Sequence, residues 1–466
     1  MVFKVHPQSQ RPVIFQHGML SERKRIAFIL YHGTGHFNAC FHLARKFNTD
    51  HEVVFVGVEY FKRYVEVQGF TYYPLQSVPF GLNLENWVNE IKKKKFIWWQ
   101  TLKDRWNDSL YLHREAEFKK FITEFKPDYI LLDSLQSTDF IVLYPLMKNK
   151  IIRLGFISTT FPLQLRPDEP ALNSVVLPNS KGSVMKSNRS VRIRQWWRYF
   201  VQNFRYAGMN DLQIIQRRLK RNNIPVSYLP TQSLFAPAFQ NIPEFILASR
   251  ELNFPTNEVL PYQHYLGLQI DHNRTESTDP DFLKDKALIF KKIIEEKSKL
   301  IYCSFGTTPF RERISVLQLL SKIIQATKNH RLLISFQATA EEHRTLLNGY
   351  SHAYIFKTLP QLEILSCADV FITHGGLNSI KESIDAGVPM LVYLTETRRD
   401  QPGNAARVQF HKIGIKGKLT DSAEKIHENI TKLLTGDYKQ RLAVLQGNDP
   451  PLEHSILDIM DSYHLV

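Results

Sequence analysis

Cysteine is scarce in this 466-residue chain, which contains only Cys40, Cys303 and Cys367. The three lie far apart, and each stands among apolar residues. An odd and sparse set argues against a disulfide framework and against a zinc site built on cysteine. We therefore expect three buried thiols in a protein of the reducing cytoplasm.

Long apolar runs are also missing. No run reaches the roughly 18 apolar residues of a membrane-spanning helix, so no such helix is expected. Polar groups interrupt the beginning of the chain, which lacks the shape of a signal peptide. We predict that residues 1–23 form a poorly structured extension, within which Met19 is an alternative start.

Acidic residues are outnumbered by basic ones in one half of the chain. The net charge is +15. Residues 1–250 carry +16 and residues 251–466 carry −1, and residues 181–221 hold 11 basic residues against one acid, Asp211. An anionic partner is therefore expected to meet the N-terminal half.

Short apolar segments alternate with helical patterns in two series, which predicts two doubly wound α/β domains. We place an N-terminal domain at residues 24–270, with basic, aromatic helical insertions at 85–120 and 175–225. A C-terminal domain follows at 271–450, and residues 451–466 form a helix that packs back across the interface. The expected strands occupy residues 25–31, 53–58, 72–74, 129–132, 152–157, 245–249, 300–306, 331–337, 353–356, 368–373 and 390–394.

The most informative segment is a strand, a glycine turn and a helix start at Phe371–Glu382. This arrangement presents backbone N–H groups and a positive dipole end to a phosphate. His374 and Ser379 can add donors to the same anion, and the carboxylate of Glu382, one turn further on, suits a ribose diol. The sequence thus predicts a nucleotide-diphosphate site at the carboxyl edge of a parallel sheet.

The segment Leu359–Gln401 resembles the signature region of the family 1 (UDP-dependent) glycosyltransferases. The matching elements, in order, are Pro360-Gln361, His374-Gly-Gly-x-Asn-Ser379, Glu382, Gly387-Val-Pro389 and Asp400-Gln401. The resemblance implies the GT-B fold, in which two Rossmann-like domains face a cleft. Asp400-Gln-Pro-Gly403 and Ala405-Ala-Arg407 further resemble carotenoid (zeaxanthin-type) glucosyltransferases.

The same resemblance implies a role for each donor-site position. It assigns the ribose to Glu382 helped by Gln361, the nucleobase edge to the backbone of Leu359, and the sugar hydroxyls to Asp400 and Gln401. One departure from the family pattern is Thr358, which replaces the tryptophan that stacks on uracil; Phe356 or a residue of another loop could take its place. The phosphates are assigned to Ser304, Gly306, Thr307, His374, Gly376, Asn378 and Ser379.

His36 and Asp133 are the candidate catalytic pair. A neutral hydroxyl is a weak nucleophile, and a histidine can take its proton. By the resemblance, His36 is the base and Asp133, which follows the strand at 129–132, orients the imidazole in a His–Asp dyad. His32 is a weaker rival for the base.

No metal or cofactor is expected besides the UDP-sugar, which is a co-substrate. His32 and His36 lack a third ligand nearby. Asp279-Pro-Asp281 resembles a metal-binding Asp-x-Asp, but its position before a helix favours a cap. Gly33-Thr-Gly35 lacks the Gly-Lys-Ser/Thr ending of a P-loop.

Two clusters, Lys92–Trp99 and Arg192–Phe200, mix basic residues with Trp-Trp pairs. One interpretation is an interfacial surface that meets anionic lipid, and the other is a pair of solvated helices that pack their aromatics inward. Nucleic acid is not expected, since no recognition fold accompanies the charge. We expect a cytoplasmic protein, with a peripheral position on the inner face of the membrane under the first interpretation.

Together these features predict an inverting, metal-independent transfer of a hexose, with glucose favoured, from a UDP-sugar to a hydroxyl of a lipophilic acceptor. Two alternatives stay open at this point. One is a non-catalytic sugar-nucleotide-binding protein, and the other is a GT-B-shaped nucleotide-sugar epimerase, because fold alone does not decide function.

Overall fold

The computed structural model of the chain describes residues 23–178, 181–255, 260–306, 313–447 and 453–463. Within these ranges the chain forms one seven-stranded and one six-stranded sheet, both entirely parallel. This confirms the prediction of two α/β series. The Thr307 position and residues 1–22 of the predicted extension lie outside the described residues.

The N-terminal sheet has the strand order β3-β2-β1-β4-β5-β6-β7. Both of its faces are covered, because alternate residues of the first strand enter different cores: Ala27 and Ile29 one, Ile26 and Phe28 the other. Continuous apolar strands are what two-sided burial requires. The strands are β1 (Arg25–Ile29), β2 (Glu52–Val58), β3 (Thr71–Leu75), β4 (Tyr129–Asp133), β5 (Arg153–Ser158), β6 (Glu244–Ile246) and β7 (Gln263–Tyr265).

The helices of this half include those of the two predicted insertions. They are α1 (Thr34–Asp50), α2 (Lys62–Glu66), α3 (Glu85–Ile91), α4 (Ile97–Trp106), α5 (Ser109–Phe125), α6 (Asp139–Lys148), α7 (Lys181–Arg205) and α8 (Asp211–Arg221).

The C-terminal sheet has the order β10-β9-β8-β11-β12-β13. Its strands are β8 (Leu300–Ser304), β9 (Arg331–Ser335), β10 (Ala353–Phe356), β11 (Val370–Thr373), β12 (Met390–Val392) and β13 (Gly414–Lys416). The helices are α9 (Pro280–Glu295), α10 (Arg313–Ala326), α11 (Ala340–Leu347), α12 (Gln361–Leu365), α13 (Leu377–Asp385), α14 (Gln401–Phe410), α15 (Ala423–Thr435), α16 (Tyr438–Leu445) and α17 (Glu453–Ser462).

Each sheet reverses its strand order once, beside β1 in the first and beside β8 in the second. Crevices at the carboxyl ends of strands open at such switch points, and ligands bind there. The two crevices meet: the side-chain amide Nδ2 of Asn378, at the start of α13, donates to the carbonyl oxygen of Gly35, at the start of α1, over 2.6 Å. The fold therefore brings the first turns of α1 and α13 together.

Helix α17 returns to the N-terminal half. Its Ile456 and Met460 are buried in the core beside α1, and Asp461 accepts hydrogen bonds from Tyr129 Oη and Arg153 Nε at 2.9 and 3.0 Å. The end of the chain thus braces β4 and β5. No helix among the described residues is long and apolar enough to cross a membrane.

The expectation of three buried thiols is wrong for one of them. Cys40 and Cys303 are buried, whereas Cys367 is exposed. Cys367 lies in the turn after α12, where Ile364, Leu365 and Ala368 enter the core and the two residues between them face outward. Its apolar neighbours in sequence are therefore not its neighbours in space.

Candidate active site

His36 and Asp133 form a direct pair. Asp133 is the last residue of β4, and His36 lies in the first turn of α1, immediately after the neighbouring strand β1. The carboxyl ends of parallel strands share one edge of the sheet, so the two side chains meet. His36 Nδ1 lies 2.6 Å from Asp133 Oδ2, and the side chains are 16% and 0% exposed.

The surroundings of Asp133 fix the histidine tautomer. Its Oδ2 also accepts from the backbone N–H of Tyr31 at 3.2 Å, and its Oδ1 accepts from that of Leu135 at 2.9 Å. Because every neighbour donates, the carboxylate acts purely as an acceptor, and His36 must carry its proton on Nδ1. Nε2 is thereby left with a lone pair, as a general base requires. Thr159 Oγ1 lies 2.7 Å from Nδ1 as a second partner.

His32, the rival base, has a different environment. Its ring lies 4.0 Å from that of Tyr31 and stacks at 6.4 Å on Trp87. Burial, and secondarily the nearby His36 and Arg399, lower the pKa of His32 to about 4. A base needs affinity for a proton near neutral pH, so His36, with its carboxylate partner, is the better candidate.

The glycine turn places His374 between two loops. A Cβ on Gly306 would lie 2.8 Å from His374 Cε1, and one on Gly376 would lie 2.6 Å from Nε2. Both glycines are thus needed for the ring to pack between the end of β8, where Ser304 lies, and the start of α13. Burial lowers the pKa of His374 to about 4, so the ring is neutral at physiological pH.

Several polar atoms around this turn have no partner within the described part of the chain: Thr373 Oγ1, His374 Nδ1 and Asn378 Oδ1. The cap of α13, Gly376, supplies no side chain to bond the first backbone N–H groups of the helix. Buried polar groups are nearly always satisfied, so a cluster of unsatisfied ones indicates a ligand. A helix N-terminus flanked by such atoms suits an anion.

Gln361, Ser379 and Glu382 are brought together. Gln361 Nε2 donates to Glu382 Oε2 at 2.6 Å and to Ser379 Oγ at 3.3 Å. Arg274, which sequence reasoning missed, donates to Glu382 Oε1 at 2.8 Å and to Glu276 at 2.5 Å. The predicted ribose carboxylate is therefore held from both sides.

Asp400 and Gln401 begin α14. Asn404 Nδ2 donates to Asp400 Oδ2 at 2.8 Å and to the Gly375 carbonyl at 3.0 Å. Burial raises the pKa of Asp400. Gln401 Oε1 accepts from the backbone N–H groups of Thr395 and Glu396 at 3.1 and 2.9 Å. The pair is thereby fixed beside the glycine turn.

A cavity of about 520 Å³ lies beyond the carboxyl ends of β9 and β10. Phe336 and Phe356 line it, together with Lys357, the neighbour of Thr358 in sequence. Leu359, which follows Thr358 in the sequence, is buried, with 6% of its surface exposed. Asp279 caps α9 by accepting from Asp281 N at 3.0 Å, which confirms the predicted cap.

The two halves are also joined by a buried ion pair. Arg407 of α14 bonds Glu169 at 2.5 Å and Asn253 at 2.6 Å. The guanidinium lies 4.1 and 4.5 Å from the ring centroids of Phe161 and Phe254. The buried pair thus fixes α14 against the N-terminal half.

A Cβ on Gly403 would collide with the Leu172 carbonyl, to which the Gly403 N–H donates at 2.9 Å. This glycine allows the backbone of α14 to touch the N-terminal half.

Sequence reasoning missed Thr159, Arg274 and Asn404, and it gave Arg407 no role. Arg274 carries a recognisable signal, an arginine between helices with Glu276 two residues on. Asn404 carries one too, since it follows Asp400 by four residues, which is one helical turn; Thr159 carries none.

Comparison with known proteins finds similarity to glycosyltransferases. A family model described as UDP-glucoronosyl and UDP-glucosyl transferase matches residues 329–453. The zeaxanthin glucosyltransferase of Pantoea ananas is 23% identical over 334 residues, 71% of this chain and 70% of that protein. A putative UDP-glucuronosyltransferase of Caenorhabditis elegans, ugt-48, is 32% identical over 130 residues, which are 27% of this chain and 24% of that protein.

Solved structures share the fold of the whole chain. A glycotransferase of kitacinnamycin aligns with a TM-score of 0.61 at 17% identity, over 91% of this chain and 94% of its own. The glycosyltransferase VinC, in complex with dTDP, aligns with a TM-score of 0.59 at 14% identity, over 94% and 99%. The predicted GT-B fold is confirmed.

Proposed function

We infer that this member of the UDP-glycosyltransferase family moves a hexose from a UDP-sugar to a hydroxyl group, with His36 as the general base. The observation that carries this is the 2.6 Å pair of His36 and Asp133 at a cleft whose opposite wall is the glycine turn at His374. The 2.6 Å hydrogen bond between Asn378 and Gly35 ties these two walls together.

The reaction follows from the placement of the groups. His36 Nε2 takes the proton of the acceptor hydroxyl while Asp133 stabilises the imidazolium. The hydroxyl oxygen forms a bond to the anomeric carbon as the bond from that carbon to the diphosphate oxygen breaks. His36 then releases its proton to solvent, and UDP leaves.

Charge on the leaving diphosphate develops at the N-terminus of α13. Its backbone N–H groups, its dipole and the side chain of Ser379 supply the stabilisation, and we propose that no metal ion is needed. Because the base stands on one domain and the diphosphate on the other, the acceptor attacks from the face opposite the leaving group. The anomeric configuration is therefore proposed to invert.

We assign glucose as the sugar and uracil as the base. Asp400 and Gln401 offer the sugar a carboxylate and an amide at the cleft, and a relative that matches this chain over much of its length is named for glucosyl transfer. Phe336 and Phe356 line the cavity together with Lys357, which precedes Thr358. These two rings are proposed to replace the stacking tryptophan.

We propose a lipophilic hydroxylated acceptor and a cytoplasmic location on the inner face of a membrane. The relative named for zeaxanthin supports the acceptor class. So does the wall beside the proposed base, where Trp87 stacks on His32 and is 46% exposed. An apolar acceptor can lie against such a surface while its hydroxyl reaches His36 Nε2.

A mass-spectrometric transfer assay tests the proposal. Purified protein and UDP-glucose are offered flavonoid, macrolide, sterol and hydroxycarotenoid acceptors, with His36→Ala and His32→Ala in parallel. A hexose-bearing product from the wild type and from His32→Ala, but not from His36→Ala, is expected.

Product formation by His36→Ala at the wild-type rate would remove the base assignment. UDP binding with no product from any acceptor or sugar donor would favour a non-catalytic sugar-nucleotide-binding protein. Conversion of the UDP-sugar itself to its epimer would favour an epimerase.

A further inference from the structure

Helix α7 exposes its large apolar side chains. Six of them recur at intervals of three and four residues along one stripe, and each is about half exposed or more. The stripe consists of Ile193 (56% exposed), Trp196 (63%), Trp197 (58%), Phe200 (53%), Val201 (45%) and Phe204 (92%). Soluble proteins seldom leave so continuous an apolar stripe unpartnered, and such patches mark interaction sites.

The inner side of the same helix is held largely by polar contacts. Asn188 donates to the carbonyls of Arg166 and Glu169 at 2.6 and 3.1 Å, and Gln202 donates to Asp211 Oδ2 at 2.9 Å. Beside the buried Val184 and Val191, α7 therefore turns amide side chains inward and its tryptophans outward. The interpretation in which the aromatics pack inward is therefore wrong.

Helix α4 extends the exposed stripe. Trp98 Nε1 donates to the carbonyl of Arg205, at the end of α7, over 3.1 Å, so the start of α4 meets the end of α7. Arg105 of α4 is buried instead, paired with Glu85 and Asp211 at 2.6 Å each. What we call the aromatic face consists of Phe96, which precedes α4, Trp98 and Trp99 of α4, and the six residues of the α7 stripe.

Basic residues surround the aromatic face. Lys92–Lys95 are exposed before α4, and α7 contains no acidic residue. Exposed arginines flank the stripe at Arg189, Arg192, Arg194, Arg198 and Arg205.

A second copy of this chain would bring like charges together, which disfavours self-association. A bilayer instead offers an apolar boundary for the aromatics and anionic headgroups for the cations.

We propose that the aromatic face docks the protein on an anionic lipid bilayer, with the rings at headgroup depth. This rests on the proposed function for its purpose, since a lipophilic acceptor resides in the bilayer. Helix α3 connects the two places: Ile91 at its end is 59% exposed, and Trp87, one turn earlier, stacks on His32 beside the base. An acceptor can thus move from the bilayer to the cleft along one helix.

The test uses the full chain and vesicles of phosphatidylcholine, either alone or with about one phosphatidylglycerol in every three lipids. The test variant is Trp196→Ser with Trp197→Ser and Phe200→Ser. The matched control replaces three exposed apolar residues of α9 in the C-terminal half, Leu283, Leu288 and Ile294, by Ser.

Wild type and control are expected to sediment with anionic vesicles and to dissociate in high salt. The triple variant should bind at least about tenfold more weakly, and each exposed arginine removed should weaken binding about fivefold. Transfer to a detergent-dispersed acceptor should stay at the wild-type rate in the triple variant, whereas transfer to an acceptor within vesicles should fall with binding.

Equal sedimentation of the triple variant and the wild type, or binding indifferent to anionic lipid and to salt, would overturn the proposal. So would a concentration-dependent dimer that the triple variant abolishes, since the face would then be an interface between copies. If vesicle binding follows the aromatic face but no acceptor is glycosylated, the docking stands and the proposed reaction fails.

Discussion

Replacing Asp133 by Asn tests the catalytic pair most directly, because the two side chains have nearly the same size and differ in hydrogen-bonding capacity. Three donors surround the carboxylate: His36 Nδ1, the Tyr31 N–H and the Leu135 N–H. An asparagine offers one acceptor oxygen and one NH₂ group, and that NH₂ must then face a donor. No orientation satisfies all three neighbours.

The two orientations have different costs. With the oxygen toward His36, the NH₂ opposes the Leu135 N–H, and a buried unsatisfied donor costs about 1–3 kcal/mol. With the NH₂ toward His36, it donates to Nδ1 and forces the proton onto Nε2, so the base loses its lone pair. We expect the second orientation to lower kcat by roughly 10³- to 10⁴-fold, about 4 to 5.5 kcal/mol in the barrier.

The assay compares kcat for transfer with the affinity for UDP measured by calorimetry. Asp133→Asn should lose turnover and keep UDP affinity, because the diphosphate site lies in the other domain. Asp128→Asn is the matched control: its Oδ2 accepts from Arg25 N at 2.7 Å at the opposite end of the same strand pair, so it should keep kcat. A folded Asp133→Asn protein whose kcat stays within about threefold of wild type would refute the dyad, since a base contributes at least about 10²-fold.

Three further outcomes are expected. Arg274→Met removes a 2.8 Å bond to Glu382 and should raise KM for the UDP-sugar about tenfold with little change in kcat. Arg331→Met, which loses the Glu296 pair and a hydrogen bond to the Ser351 carbonyl, should leave KM unchanged, and equal KM values in the two variants would contradict this role. Arg407→Met leaves the buried Glu169 without its charge partner and should lower the free energy of unfolding by about 3–5 kcal/mol in urea titrations. The double variant Arg407→Met/Glu169→Gln should be less destabilised, and a single variant as stable as the double would contradict this explanation. The folded-state pKa of His374, about 4, lies below its unfolded value, so the contribution of this histidine to the free energy of unfolding is complete above about pH 6.5 and is lost as the pH falls toward 4. About 2 kcal/mol of stability should therefore disappear between pH 7 and pH 5. In urea titrations, His374→Gln should lose correspondingly less stability over the same pH range.

The parts of the site that could be predicted are those written in one continuous segment. At Phe371–Glu382 the apolar strand, the glycines and the helix start follow one another, and the structure places His374 at the glycine turn with Ser379 and Glu382 on the helix that follows. Local backbone geometry decides such a motif, so it can be inferred without the rest of the fold. His36 and Asp133, which stand 97 positions apart, were predicted from the resemblance to the family 1 glycosyltransferases, and the structure brings them together at the carboxyl ends of neighbouring strands.

The parts that could not be predicted depend on contacts between distant segments. Arg274 meets Glu382 from 108 positions away, and Arg407 meets Glu169 from 238 positions away. Nothing in the local pattern identifies such partners, because the first pairing is set by the packing within the C-terminal half and the second by the contact between the two halves.

The aromatic helices show a different limit. Their periodicity predicts a helix with an apolar stripe, but not which way the stripe faces. A stripe normally turns toward the core. Only the hydrogen bonds of Asn188 and Gln202 on the opposite side reveal that it faces outward in α7.

The division of the site between two domains has a chemical reason. In the proposed inverting reaction, attack opposite the leaving group requires the base and the diphosphate on opposite sides of the anomeric carbon, and two facing sheet edges can present them so. The hydrogen bond from Asn378 to Gly35 spans this gap beside His36, and the same amide leaves Oδ1 without a partner among the described residues. Asn378 therefore lies where diphosphate binding and domain closure would influence each other. A base that is aligned only when the donor side is in place is protected from acting on water, because the reactive geometry forms only with both domains together.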